Sequence, residues 1–206
     1  MEVRDQILTA AIRQFAKHGF DATSIQAVAD EVGIRKQSLL YHFPSKDELR
    51  SAVHQKMLDH WAEALPRLLA AATSGDEQFD ALMSELIAFF AADPDRARLV
   101  VREVLDRPDE VGLLIKQRVR PWVDKVCDYI RKGQARGAIF PDVDPEAYVV
   151  QVINLVIAGV ATHACLREIY PAPARGRIPQ RHTDELVRMA KASLFLPVPV
   201  KKRQTR

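Results

Sequence analysis

The sequence predicts an all-α protein of about nine helices, with a small three-helix N-terminal domain followed by a larger helical domain. Apolar residues recur every three or four positions along most of the chain, which is the spacing of amphipathic helices. Proline and glycine fall between these runs, where helices would end. No segment shows the strict alternation of apolar and polar residues that indicates a half-buried strand. We place the two domains at residues 1–47 and 48–196, with a basic, disordered tail at 197–206.

The first helix is expected at about residues 2–18, ending at Gly19. Two short helices follow, and Gly33 separates them. The first of these begins with a capping box, in which Thr23 accepts a hydrogen bond from an early backbone N–H and Gln26 reaches back. Gly33 is expected to take the positive φ that a tight turn between two helices often needs.

The second short helix begins with four polar residues in a row. Arg, Lys and Gln hydrogen-bond to base edges, and Ser and Lys bind phosphates. A helix burying its first turn in protein would not have this composition, whereas one entering the DNA major groove would. Two short helices around a glycine turn predict a helix-turn-helix. The four residues are Arg35, Lys36, Gln37 and Ser38.

A further helix is expected to begin at once, because Ser45 and Glu48 form a second capping box. The free N–H groups of its first turn and the Lys46 ammonium would together make an anion site. Beside a DNA-reading helix, a DNA phosphate is the natural occupant. A plain helix cap with a solvated lysine is the alternative.

Residues 7–53 contain a gapless pattern of Ile7-Leu8, Ala11, Phe15, Gly19-Phe20, Thr23-Ser24-Ile25, Val28-Ala29, Val32-Gly33-Ile34, Lys36, Leu39 and Tyr41 to Leu49. In this pattern they resemble the N-terminal DNA-binding domain of the TetR family of transcriptional regulators. The resemblance implies a helix-turn-helix domain, and a C-terminal helical domain that forms homodimers and usually binds a small ligand. With the polar residues described above, the predicted DNA-contacting set is Thr23, Ser24, Arg35, Lys36, Gln37, Ser38, Tyr41, His42 and Lys46.

Three positions depart from the family pattern. Arg35 stands where a small hydroxyl residue is usual, and Gln37 where glycine or proline is frequent. Both add side chains able to read bases, so we expect an operator unlike those of better-known relatives. Leu40 replaces an aromatic residue that usually touches the DNA backbone, which leaves Tyr41 and His42 as the expected phosphate contacts.

The rest of the chain predicts six more helices, separated by proline and glycine. Two prolines fall inside these helices, where Pro66 should kink one and Pro121 should kink or break another. The expected ranges are 46–71, a helix around 79–90, 94–105, 108–136, 144–169 and, after a loop at 170–181, 183–195.

The last two helices carry apolar stripes that a monomer would leave exposed. A two-fold four-helix interface would bury them. The resulting homodimer would read a palindromic operator in double-stranded DNA, because its two recognition helices would lie about one DNA turn, roughly 34–36 Å, apart. The predicted interface residues are Val149, Val152, Ile153, Val156, Val160, Leu186 and Met189, with Gly159 allowing close approach.

Candidate ligand-binding residues lie in the larger domain. Each is an aromatic, methionine or isolated polar residue at helical spacing. Such a residue could contact a ligand, or it could simply pack in the hydrophobic core. Few basic residues face inward in these segments, so an apolar or aromatic effector is expected. The candidates are Trp61, Met83, Phe90, Trp122, Tyr129, Asn154 and His163.

Charge does not distinguish a DNA-binding protein here. The net charge is +3, but the tail after Val200 holds four basic residues and no acid, so the rest carries −1. DNA affinity must therefore come from where charges lie. The sequence predicts no cofactor and no metal site, because the six histidines lack metal-ligand spacing.

The residues also disfavour an enzyme, since neither a glycine-rich phosphate loop nor a nucleophile elbow is present. Two cysteines and a polar N-terminus indicate a cytoplasmic protein, with both thiols buried and no membrane association. Two functions remain: a ligand-responsive repressor, or a DNA-binding protein whose C-terminal domain binds another protein. A cavity of a few hundred Å³ would favour the first.

Overall fold

The computed structural model describes residues 2–71, 75–166, 169–170 and 178–197. Apart from Pro197, the predicted tail lies outside the described residues. The all-α prediction is confirmed. The helices are α1 (Val3–His18), α2 (Ile25–Val32), α3 (Lys36–His42), α4 (Lys46–Ala71), α5 (Gly75–Ala91), α6 (Pro94–Asp106), α7 (Pro108–Leu114), α8 (Arg120–Ala135), α9 (Pro145–Leu166) and α10 (Ile178–Leu194).

A π-helical turn at Ile115–Val119 joins α7 to α8, so residues 108–135 form one continuous helical run. With this run counted as one helix, the described residues contain the nine helices predicted. The N–H of Arg120 donates to the carbonyl of Ile115, five residues back. Pro121 has no N–H to continue the α-helical ladder, and a local widening of the helix accommodates it.

The structure differs from the sequence prediction at α10, which begins at Ile178 instead of near residue 183. Residues 178–181 were expected in a loop because Pro179 follows Ile178. Proline is tolerated in the first turn of a helix, where the N–H has no intrahelical partner, and this explains the longer helix. Residues 171–177 of the predicted loop lie outside the described part of the chain.

Two hydrophobic cores organise the molecule. The first belongs to α1, α2, α3 and the start of α4, and it is centred on fully buried residues such as Phe15, Leu39 and Leu49. Leu99 of α6 also belongs to this first core, so the larger domain contributes directly to the packing of the smaller one. The second core lies among α5, α6, α8, α9 and α10 and includes Phe90.

The turn between α2 and α3 requires glycine. Gly33 has φ +77° and ψ +29°, and its N–H donates to carbonyls at the end of α2. The N–H of Ile34 then donates to the carbonyl of Ala29 at 3.0 Å. The predicted positive φ is therefore present, and it sets the angle at which α3 leaves α2.

Gly33→Ala is expected to lower the free energy of unfolding by about 1–2 kcal/mol, because an alanine Cβ is strained in the left-handed conformation. A Cβ at Gly33 would meet nothing within 4 Å, so no steric clash contributes. Gly112→Ala is the matched control, since Gly112 lies in α7, is equally open and has no positive φ. We expect urea unfolding to show Gly112→Ala unchanged or slightly more stable. Equal losses in the two variants would contradict the conformational explanation.

Candidate nucleic-acid interface and ligand cavity

The first turn of α3 presents polar side chains to solvent. Arg35, at the N-cap, and Lys36, Gln37 and Ser38 are all exposed. Among the described residues, none of the four side chains has a hydrogen bond or ion pair within the protein. The opposite face of α3 is held by Leu39, which is 0% exposed. These side chains can therefore meet a ligand without breaking contacts inside the protein.

The C-terminal end of α3 continues this exposed surface. Tyr41 is 86% exposed and its ring lies edge-on to that of His42, with ring centroids 5.5 Å apart. Leu40, the departure from the family pattern, is only half-buried. The Tyr41 hydroxyl and the His42 imidazole are exposed polar groups at this end of α3.

The cap of α2 differs from the prediction. Ser24 is the N-cap, and its hydroxyl accepts a hydrogen bond from the N–H of Ala27 at 3.0 Å. Thr23 is buried, and its hydroxyl donates to the carbonyls of Gly19 and Gln14, at 2.7 and 3.1 Å. The prediction that Thr23 caps α2 was wrong, because the residue faces the core. Its side chain has no surface available for a DNA contact.

The second predicted cap is present at α4, where the Ser45 hydroxyl accepts from the N–H of Glu48 at 3.1 Å. Lys46 donates to the backbone carbonyl of Asp21 at 3.1 Å. Its ammonium also lies 4.4 Å from the centroid of the Phe20 ring. An ammonium has three protons, so Lys46 retains donors for an anion while its stem is held in place.

A buried ion pair joins α4 to α6. Arg50 donates from Nε to Oε2 of Glu103 at 2.9 Å, and His54 Nε2 lies 3.2 Å from the same oxygen. Glu103 is only 6% exposed. Burial would raise the pKa of Glu103, but hydrogen bonds from His54 and Arg50 outweigh it, so its pKa lies below its ordinary value. Glu103 is therefore ionised at neutral pH despite its burial.

The ion pair is part of a larger network that includes the connection between α1 and α2. Arg50 also binds Glu110 of α7, and Arg107 donates to Glu110 at 2.9 Å. Arg107 reaches back to the carboxylate of Asp21. We name this network the charge cluster, and its members are Asp21, Arg50, His54, Glu103, Arg107 and Glu110.

Phe20 lies beside the charge cluster and is contacted by three cations. The guanidinium carbons of Arg107 and Arg50 lie 4.7 and 5.1 Å from its ring centroid, and Lys46 approaches on the same ring. Cation–π contacts of this kind are worth about 0.5–2 kcal/mol each. The head and the body of the molecule are thus joined by charge as well as by apolar packing.

A cavity of about 390 Å³ lies in the larger domain, among α4 to α9. Its wall is almost entirely apolar and aromatic, with residues such as Leu86, Val123 and Ile157. Six of the seven candidates for ligand binding lie in this wall: Trp61, Met83, Phe90, Trp122, Tyr129 and Asn154.

The seventh candidate, His163, is not among the described residues that line this cavity. It lies on α9 nine residues beyond Asn154, about 14 Å along the helix axis. Within the described residues, its Nε2 is buried and has no hydrogen-bond partner.

Most polar groups in the cavity wall already have partners. The Tyr129 hydroxyl donates to the carbonyl of Gly75, and the Tyr148 hydroxyl donates to that of Ala190 at 2.8 Å. Burial raises the pKa of Tyr129 to about 12, so the phenol is neutral. The cavity therefore offers mainly apolar surface to a ligand.

Two cavity residues, His54 and Glu103, were missed at the sequence level. They are important because both also belong to the charge cluster. The available signal was the position of Glu103, one turn after Leu99 on the buried face of α6. An acid on an apolar helix face indicates a buried partner, which here is Arg50.

The structure corrects the predicted dimer interface. Val149, Val152, Val156 and Leu186 are buried inside the protomer, with Val156 only 2% exposed. They belong to the second core, and Gly159 packs against His182 of α10 in the same protomer. Ile153, which lines the cavity, and Val160 are half-buried, while Met189 is 51% exposed. Four of the seven predicted interface residues therefore pack inside the protomer instead of lying on its surface.

The other face of α9 remains open. Val150 and Leu155 are 47% and 48% exposed. Cys165, predicted to be buried, is exposed on the same helix, while Cys127 is buried. Among the described residues α9 is the one helix long and apolar enough to cross a membrane, with a mean hydropathy of 1.9 and 17% of its apolar window buried. So much exposed apolar surface on a helix indicates a contact surface.

The chain matches two family models. Residues 7–53 match the model of bacterial regulatory proteins of the tetR family, and residues 76–188 match that of the tetracyclin repressor-like C-terminal domain. The transcriptional repressor KstR2 of Mycolicibacterium smegmatis is 31% identical over 148 residues, covering 68% of this chain and 69% of that protein. The activator FasR of the same organism is 28% identical over 137 residues, covering 66% of this chain and 63% of that protein.

Solved structures show the same fold. The ketosteroid transcriptional regulator KstR2 of Mycobacterium tuberculosis has a TM-score of 0.76 at 17% identity, covering 95% of this chain and 96% of that one. The fatty acid degradation regulator FadR of Bacillus halodurans has a TM-score of 0.69 at 17% identity, covering 91% and 95%.

The chain belongs to the TetR family of transcriptional regulators. It is a DNA-binding regulator of transcription and not an enzyme. Regulators of this family bind operator DNA as dimers.

Proposed function

We propose that this protein is a repressor that binds a palindromic operator as a homodimer, and that a small apolar ligand in the cavity releases it. Residues 1–47 would act as the DNA-binding head, and residues 48–196 would supply dimerisation and ligand binding. The observation that carries the proposal is the continuity between the cavity and the head. Glu103 and His54 line the cavity and also hold Arg50, near the start of α4.

The proposed DNA contacts are the exposed residues of α3 and its flanks. Arg35 and Gln37 would read bases. The other contacts, some of them to phosphates, would come from Lys36, Ser38, Tyr41 and His42. Ser24 and Lys46 would add phosphate contacts beside α3. Thr23 is left out because its hydroxyl is used inside the head.

The proposed dimer interface is the exposed face of α9, around Val150 and Leu155, with Met189 of α10. Pairing two copies through these helices would give a four-helix arrangement with two-fold symmetry. Two recognition helices related by this axis would then face successive major grooves of a palindrome.

The proposed effector is apolar because the cavity wall has few unpaired polar groups. Two similar structures are those of a ketosteroid regulator and a fatty acid degradation regulator, and steroids and fatty acids are both largely apolar. A cavity of about 390 Å³ is large enough for a small molecule, which favours a metabolite over a protein partner as the signal.

Release requires that the ligand bind the DNA-free conformation better than the DNA-bound one. A ligand that moves Glu103 or His54 would disturb the charge cluster and shift α4 relative to α6. Typical coupling energies of about 1–3 kcal/mol correspond to a 5- to 150-fold change in operator affinity.

Selection of bound DNA from a random pool, repeated with candidate apolar compounds, tests this function. We expect the selected DNA to be a palindrome, and at least one apolar compound to release it. Selected sequences without two-fold symmetry would contradict the proposed mode of binding.

Lys36→Ala is expected to weaken binding to all sequences and to lower the salt-dependence slope by about one, because one phosphate contact is lost. Gln37→Ala is expected to relax specificity at particular base pairs, at a cost of about 1–3 kcal/mol. Lys17→Ala removes the same charge from α1 and should leave both properties unchanged. If both Lys36→Ala and Gln37→Ala protect the same DNA as the unchanged protein in a footprinting experiment, α3 is not the recognition helix.

A further inference from the structure

A second cavity, of about 370 Å³, lies beside the apolar one. It is formed mainly by one face of α8 with residues of α4, α5 and the segment after α10, and Tyr129 contributes to the walls of both cavities. We call it the basic chamber; its lining residues include Lys125, Lys132 and Arg136, and none of the described lining residues is acidic.

Lys125 and Lys132 lie on one face of α8, and Arg136 is the C-cap residue of the same helix. With Tyr129 they follow a spacing of four, three and four residues, which places them in a single row along the helix. Among the described residues, none of the three has an ion pair or a side-chain hydrogen bond. Lys132 and Arg136 are four residues apart, a spacing at which like charges repel each other.

Other cations of α8 behave differently. Arg120 donates to Asp124 at 2.6 Å, and Arg131 binds Asp128 and Glu146. Arg120 and Arg131 are therefore paired, whereas Lys125, Lys132 and Arg136 have no acidic partner in the described part of the chain. This difference between paired and unpaired cations argues against the view that the chamber wall is ordinary solvated helix surface.

The acids of α5 do not neutralise the chamber. Asp76 influences Tyr129 but does not line the cavity, and Lys191 lies 3.9 Å from Asp76 and 3.0 Å from Asp80. The Gln78 amide already donates to the carbonyl of Leu69 at 3.0 Å. Three free cations remain as the donors that the chamber offers to a ligand.

We propose that the basic chamber binds a phosphorylated small molecule through a multiply charged phosphate group. Three unpaired cations along one wall of the chamber match the charge of a diphosphate better than that of a single carboxylate. The volume exceeds that of a lone phosphate, and Leu69, Ile139 and Phe195 provide apolar wall for an uncharged part of the ligand. The site is separate from the apolar cavity and from α3, and it does not depend on the function proposed above.

Titration calorimetry of the full-length protein with inorganic diphosphate tests this site. We expect one diphosphate per protomer, and binding roughly tenfold weaker in Lys132→Gln and in Lys125→Gln, because each loses a charge-assisted contact. Lys116→Gln is the matched control, since Lys116 is an exposed lysine in the π-helical turn outside the chamber. Lys36→Gln is a second control, which tests whether diphosphate binds at the DNA-contacting surface instead of the chamber. Both controls should bind like the unchanged protein.

Circular dichroism should show equal helix content in all four variants, because every substituted residue is exposed. Binding lost in Lys132→Gln and kept in both controls supports the chamber. The proposed site would be overturned by any of three results: no binding at millimolar diphosphate, equal binding in all variants, or loss of binding in Lys36→Gln. This readout contains no DNA, so failure of operator binding and failure of the chamber are distinguishable.

Discussion

Glu103→Ala is expected to lower the free energy of unfolding by about 3–5 kcal/mol, because it leaves the buried guanidinium of Arg50 without its main partner. The side chains of Arg50 and Glu103 are 9% and 8% exposed, so water cannot easily replace the lost carboxylate. Urea unfolding at a fixed protein concentration measures the loss, since dimerisation would make stability depend on concentration.

Glu110→Ala is the matched control for this prediction. Glu110 binds the same arginine, but its side chain is 53% exposed. Exposed ion pairs are worth about 0–1 kcal/mol, so we expect a small loss. Similar losses in the two variants would show that the stability does not depend on the burial of Glu103.

The loss should depend on pH in a defined direction. The pKa of Glu103 is lower in the folded protein than its ordinary value of 4.5, so the ionised side chain favours folding above that pH. This contribution decreases as the pH falls through the folded pKa. The stability difference between the unchanged protein and Glu103→Ala should therefore be complete at neutral pH and become smaller in acid. A difference that grows in acid would contradict the assignment.

Leu155→Arg is expected to convert the protein to a monomer and to weaken operator binding by roughly 10²–10⁴-fold, because each half-site would then be bound without the other. Leu155 is 48% exposed on α9, so the protomer itself should fold normally. Sedimentation velocity measures the association, and circular dichroism checks the fold.

Leu113→Arg is the control, because it places the same charge at a leucine of α7 that is 60% exposed. We expect it to remain dimeric. Val156→Arg should behave differently from both, since Val156 is 2% exposed and a charge there would unfold the protomer. A dimeric Leu155→Arg protein would exclude this face of α9 as the interface.

The head of the molecule was largely predictable because its signals are local. The N-cap at Ser45, the glycine turn at Gly33 and the polar first turn of α3 each depend on residues within a few positions. The exception was Thr23, because threonine and serine in adjacent positions are both residue types that cap helices. Only the packing against Gly19 and Gln14 decided which of them turned inward.

The faces of α9 could not be assigned from the sequence because the helix is apolar nearly all round. Val149, Val152 and Val156 lie on one side, and Val150 and Leu155 lie on the other. An amphipathic helix shows its buried face by contrast with a polar one, and α9 lacks this contrast. The arrangement of the neighbouring helices decided which valines enter the core.

The sequence by itself determined the all-helical fold, because caps and turns are encoded over short distances, and its resemblance over residues 7–53 indicated the TetR family. Only the tertiary structure brought Arg50 to Glu103, 53 residues away, and aligned three unpaired cations of α8 along a second cavity. Contacts between distant residues depend on how whole helices pack, and helical periodicity does not specify that packing.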